Sequence, residues 1–123
     1  MFFNWFDARF ARTGLVVALV AITVLALMPS HSVPVGSGWD KLDHWTAFFT
    51  LSFLANHAFP RRPFWQIALV LVGYGIGIEI AQSFTPDRDA DAMDVVADSI
   101  GILIYGLILF IYSVLIKSRV RTE

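Results

Sequence analysis

The sequence contains no cysteine. Disulfides, thiol nucleophiles and zinc–thiolate sites are thereby excluded. Charge is scarce as well: 15% of the 123 residues are charged, ten acidic against nine basic, for a formal net charge of −1. No basic patch or aromatic–basic interleaving occurs, so nucleic acid is not the expected partner. Internal repeats, low-complexity tracts and a glycine-rich phosphate loop are also missing. The Gly101–Gly106 spacing has no lysine after it, and no Ser–His–Asp order assigns a catalytic residue. What the chain has in excess is apolar: 57% of its residues are hydrophobic and the mean hydropathy is +0.67. That exceeds what a soluble domain of this size needs. The length suits a single domain over residues 1–123.

A bilayer core is about 30 Å thick and takes roughly 20 helical residues to cross. Four segments answer to this, at about 14–28, 44–59, 64–84 and 95–116. The first is short and closed by Pro29, and the second carries Asn56 and His57 near its end. Arg9 and Arg12 ahead of the first apolar run also resemble the start of a signal peptide. No small-x-small cleavage site follows Leu25-Ala26-Leu27-Met28, so this run is read as a retained helix. Before it, Phe2, Phe3, Phe6 and Phe10 recur at helical spacing opposite Asn4, Asp7 and Arg9. This pattern predicts a short amphipathic helix in the membrane interface. The expected fold is therefore all-α, a compact four-helix transmembrane bundle with an N-terminal interfacial helix.

With four spans, one side holds Arg9, Arg12, Arg61, Arg62, Lys117, Arg119 and Arg121, and the other only Lys41 and Arg88. This asymmetry places both termini in the cytoplasm. Trp5, Trp39, Trp45 and Trp65 fall near span ends, where interfacial tryptophans belong. Gly73-x3-Gly77 inside the third span predicts close helix packing.

Six of the ten acidic residues lie between Glu79 and Asp98, and the topology brings them to the outer side. Glu79 and Gln82 end the third span there, Arg88 and Asp91 lie in the outer loop, and Asp40, Lys41 and His44 precede the second span. From Phe84, Glu79 should sit about 7 Å down, and from Asp94, Asp98 about 6 Å down. Asp91, Asp94 and Asp98 follow an i, i+3, i+7 stripe. Ionisable groups at such depth usually mark a site or a structural pair. Oxygen ligands with a histidine suit a divalent cation, with Asp91, Asp94 and Asp98 as the candidate ligands. Crowded acids can also act as proton donors. The structural alternative is equally concrete: Asp91 or Asp94 caps the fourth helix, Asp87 and Asp89 form a solvated turn, and Glu79 locks two helices together. His31 is read as a surface residue, and Asn56 and His57 as interfacial or interhelical ones.

Asp40-Lys41-x-x-His44 with Phe48, Glu79-x-x-Gln82, Pro86-x-Arg88-x-x-Asp91-x-x-Asp94 and Gly101, in this order, resemble the VanZ-like family of small bacterial membrane proteins. Two positions depart from that pattern: Asp98 stands where asparagine is usual, and Tyr105 where a second glycine is common. The resemblance implies a bacterial cytoplasmic-membrane location, a link with the cell envelope and an association with resistance to the glycopeptide teicoplanin. It implies no settled reaction.

Three functions follow. The first is non-enzymatic: the mouth formed by Asp40, Lys41, His44, Glu79, Gln82, Arg88, Asp91, Asp94 and Asp98 binds a lipid headgroup, a cell-wall precursor or a partner. The second is a metal-dependent enzyme acting on a lipid-linked phosphate. The third, a proton- or cation-coupled carrier, ranks last because four short spans leave little room for alternating access.

Overall fold

The computed structural model describes residues 5–28, 40–86 and 90–122. They form four helices: α1 (Trp5–Leu27), α2 (Asp40–Ala58), α3 (Phe64–Ser83) and α4 (Ala92–Thr122). No strand occurs among the described residues. Prolines set several ends. α1 stops ahead of Pro29 and α2 ahead of Phe59-Pro60, because the residue before proline disfavours helical backbone. α3 begins just after Pro63, which holds φ −65° and ψ 147°.

The helices alternate in direction, as their cross-links establish. Arg12 Nε, near the start of α1, donates to the Ala58 carbonyl at the end of α2 (2.9 Å). Gln82 Nε2, at the end of α3, donates to the Ala26 carbonyl at the end of α1 (2.8 Å). The starts of α2 and α4 meet through Lys41 and Asp91. One end of the bundle thus gathers the end of α1, the start of α2, the end of α3 and the start of α4.

Three helices are long and apolar enough to cross a membrane: Ala8–Leu27, Phe64–Ser83 and Ala92–Arg121. α2 forms where a second span was expected, yet its composition alone does not qualify it. Its position explains the difference. α2 packs most extensively against α4 and α1, and Phe48, Leu51, Ala55 and Ala58 join Leu15, Ile67, Leu71 and Ile102 in the core. Several of its polar side chains are satisfied by its own backbone. Ser52 Oγ donates to the Phe48 carbonyl and Thr50 Oγ1 to the Thr46 carbonyl, while His57 Nδ1 donates to the Phe53 carbonyl. A helix enclosed by others in this way does not need an apolar face on every side. Asn56 and Tyr105 are interhelical, joined by a 3.1 Å bond from Asn56 Nδ2 to the Tyr105 hydroxyl. His57 is buried.

Three further expectations change in detail. Residues 5–13 are not a separate interfacial helix, because they run without a break into α1, a single helix of 23 residues; Phe2 and Phe3 lie outside the described residues. α4 exceeds its expected 95–116 at both ends, with 31 residues spanning about 46 Å. Beyond Gly106 it has no proline or glycine, and Arg119 and Arg121 in its last turn favour the negative end of the helix dipole. Finally, Gly73 and Gly77 face open space. The close approaches occur at Gly75, Gly101 and, against the Phe64 ring, Gly106. A Cβ at Gly101 would overlap the Trp45 carbonyl oxygen, so this glycine lets the α2 and α4 backbones meet.

Candidate functional site

The first turns of α2 supply Lys41 and His44. The last turns of α3 supply Glu79 and Gln82, and the entry to α4 supplies Asp91, Asp94 and Asp98. Asp40 opens α2, but its side chain is outside the described set, as are Arg88, Asp87, Asp89 and His31. The remaining seven candidates gather at one end of the bundle.

Asp91 has a structural duty. It immediately precedes α4, and its Oδ1 accepts from the Met93 N–H at 2.9 Å, which caps the helix. Its own backbone N–H donates to Glu79 Oε2 at 2.9 Å, tying the entry of α4 to the end of α3. Its other carboxylate oxygen, Oδ2, pairs with Lys41 Nζ at 2.8 Å. Lys41 also bonds Asp94 Oδ1. The Lys41 ammonium is therefore held well above its ordinary pKa, chiefly by Asp91 and then by Asp94. Asp91 is held below the usual carboxylate value, chiefly by the hydrogen bond from Lys41.

Below this outer pair the site is closed to solvent. Asp94 is 2% exposed, Asp98 1% and Glu79 8%. His44 bridges the two aspartates: Nδ1–H donates to Asp98 Oδ1 at 2.8 Å, and Nε2 stands 3.5 Å from Asp94 Oδ2. A carboxylate on Nδ1 fixes the ring orientation and leaves Nε2 to face the interior of the cluster. Asp94 is thus the hub of the site, rather than the helix cap that the sequence also allowed. Gln82 serves α1 instead: its amide nitrogen holds the Ala26 carbonyl, while its buried Oε1 has no partner among the described residues.

The expected metal-ligand set regroups. Asp91 is committed to Lys41 and to the helix cap, and Asp98 to the far nitrogen of His44. The residues with one donor atom each inside a common 4.8 Å are His44, Glu79 and Asp94. Gly75 was not found by sequence reasoning. A Cβ there would stand 2.7 Å from Asp98 Oδ2 and 3.3 Å from Phe48 Cζ, so its bare backbone gives the Asp98 carboxylate its room. The only sequence signal was the alternation of Gly73, Gly75 and Gly77, which was read at the two outer positions.

Comparison with known proteins places this arrangement in context. The sequence profile of the VanZ/LLP1 family matches residues 2–116. An uncharacterized protein of fission yeast (Schizosaccharomyces pombe) is 29% identical over 112 residues, covering 88% of this chain and 67% of that protein. No solved structure matches the chain significantly.

Proposed function

Since the chain belongs to the VanZ/LLP1 family, we propose that it is a multi-pass membrane protein whose acidic, histidine-containing mouth binds the polar headgroup of a membrane lipid or a lipid-linked cell-wall precursor. The observation that carries this reading is Glu79: it is nine-tenths buried, and its Oε1 has no partner among the described residues. A buried carboxylate oxygen costs several kcal/mol to leave unmet, so a ligand that engages it answers the cost. A relative in a eukaryote favours a ligand common to many membranes, and hence a lipid headgroup over a cell-wall precursor. In a bacterial host, with the chain in the cytoplasmic membrane and both termini cytoplasmic, such binding would act at the cell envelope and could alter teicoplanin sensitivity.

A second reading is a membrane enzyme acting on a lipid-linked phosphate. One specific feature favours it, the convergence of His44, Glu79 and Asp94. Native mass spectrometry of gently extracted protein tests the first reading. One lipid per chain, retained by the wild type and lost in His44→Ala, is the expected result. Equal retention by the variant would refute it.

A further inference from the structure

The basic end of the bundle, opposite the mouth, holds a guanidinium that is only partly employed. Arg12 Nε–H donates to the Ala58 carbonyl at 2.9 Å, and the guanidinium carbon stands 5.6 Å from the centre of the Phe59 ring. These contacts fix the side chain yet use one of its five N–H donors. The terminal nitrogens have no partner among the described residues. An arginine held in this way presents a planar fork matched to two oxygens of a phosphate, with little rotamer freedom left to lose. The chain continues from Phe59 into Arg61 and Arg62, both exposed and both without an ion-pair partner among the described residues. Of the ten acidic residues, only Asp7 and Glu123 belong by sequence to this end, so positive charge dominates it.

Beside this fork lies an open groove of about 310 Å³, lined by Arg12, Thr13, Val16 and Val17. Thr13 turns its hydroxyl back onto the Arg9 carbonyl, so below Arg12 the groove offers mostly carbon. Val20 and Val24 continue it along α1, and all four valines are more than half exposed. Helical spacing puts these six residues on one stripe. From Arg12 to Val24 the stripe runs about 18 Å, slightly more than half of a hydrocarbon core about 30 Å thick. We propose that this groove binds one anionic phospholipid, its phosphate on the Arg12 fork and one acyl chain along Val16, Val17, Val20 and Val24. Charge selects this occupant over a zwitterionic lipid, because Arg61 and Arg62 add an attraction that a net neutral headgroup cannot use. The apolar stripe selects it over a free phosphate, which would leave the valines unused. The site is separate from the mouth, and being open along its length it exchanges lipid with the bilayer.

The experiment uses the full chain, stripped of lipid in mild detergent, as the wild type and as His44→Ala, which empties the mouth. Phosphatidylglycerol and phosphatidylcholine with identical chains are added back, and bound lipid is counted by native mass spectrometry. Saturable binding of one phosphatidylglycerol per chain in His44→Ala is expected. Phosphatidylcholine should bind at least about fivefold more weakly, the worth of one elementary charge near a basic surface. Arg12→Lys keeps the charge but removes the fork, and should weaken binding at least about fivefold. Val17→Trp leaves Arg12 and its contacts with α2 in place and fills the groove, so it should abolish the saturable component. Both variants should keep the helical circular dichroism of the wild type. Diffuse attraction to the basic end predicts binding that does not saturate and that survives both substitutions. That pattern, equal affinity for the two lipids, or undiminished binding in Arg12→Lys or Val17→Trp overturns the proposal. Loss of phosphatidylglycerol binding in His44→Ala returns that lipid to the mouth and does the same.

Discussion

At the scale of single residues, the cluster depends as much on what is small as on what is charged. The acidic stripe of Asp91, Asp94 and Asp98 is legible in the sequence, because helical spacing alone puts these positions on one face. The roles within it are not legible, since they depend on what reaches each carboxylate from other helices: Lys41 and His44 from α2, and the bare backbone of Gly75 from α3. Gly75→Ala would press a methyl group against Asp98 Oδ2 and the Phe48 ring, an overpacking that costs about 1–3 kcal/mol. Gly73→Ala meets nothing within 4 Å, and should be neutral or stabilise by about 0.5–1 kcal/mol through its helix propensity. Chemical unfolding of the two variants in the same detergent checks the contrast. Equal stability of the pair would mean that Asp98 does not lie against Gly75.

At the scale of elements, the sequence reveals all four helices but divides the first of them in two. The apolar runs of α3 and α4 announce themselves. α2 is weaker by composition because its neighbours are helices, and a hydropathy profile cannot distinguish a satisfied serine inside a bundle from one facing lipid. α1 was divided into two elements on the strength of its phenylalanine spacing, although its backbone continues unbroken from Trp5 to Leu27. One side chain ties these two elements together at the end away from the site. Arg12 donates to the Ala58 carbonyl, one of the last unpaired carbonyls of α2, and its guanidinium lies 5.6 Å from the centre of the Phe59 ring. A charged donor on a helix-end carbonyl contributes about 1.5–3 kcal/mol, and the ring contact about 0.5–1 kcal/mol more. Arg12→Met, which keeps an apolar stem, is therefore expected to destabilise the bundle by about 2 kcal/mol and leave lipid retention at the far end unchanged. Thermal unfolding and native mass spectrometry on one preparation test both halves of that expectation.

At the scale of the whole molecule, the alternating helices separate two ends of opposite character. The start of α1 and the end of α4 share one end with Arg9, Arg12, Lys117, Arg119 and Arg121, while the carboxylates and His44 occupy the other. The basic end should face the cytoplasm, which turns the mouth outward. α2 settles how this arises, because it is the helix whose composition alone does not require it to cross. Its 19 residues span about 28 Å, close to the hydrocarbon thickness. Its two ends meet opposite ends of the bundle, at Lys41–Asp91 and at Arg12–Ala58. A helix tied at both ends to partners long and apolar enough to span is expected to cross with them. Alkaline phosphatase fused after Arg62 should therefore be inactive, and fused after Thr85 active. Activity at both positions would mean that neither α2 nor α3 crosses, and that the ties of α2 to α1 and α4 do not form in the membrane. The reverse pattern would arise either because α2 does not cross or because the whole bundle is inverted with its mouth toward the cytoplasm. A fusion after Gly36 separates the two, active in the first case and inactive in the second.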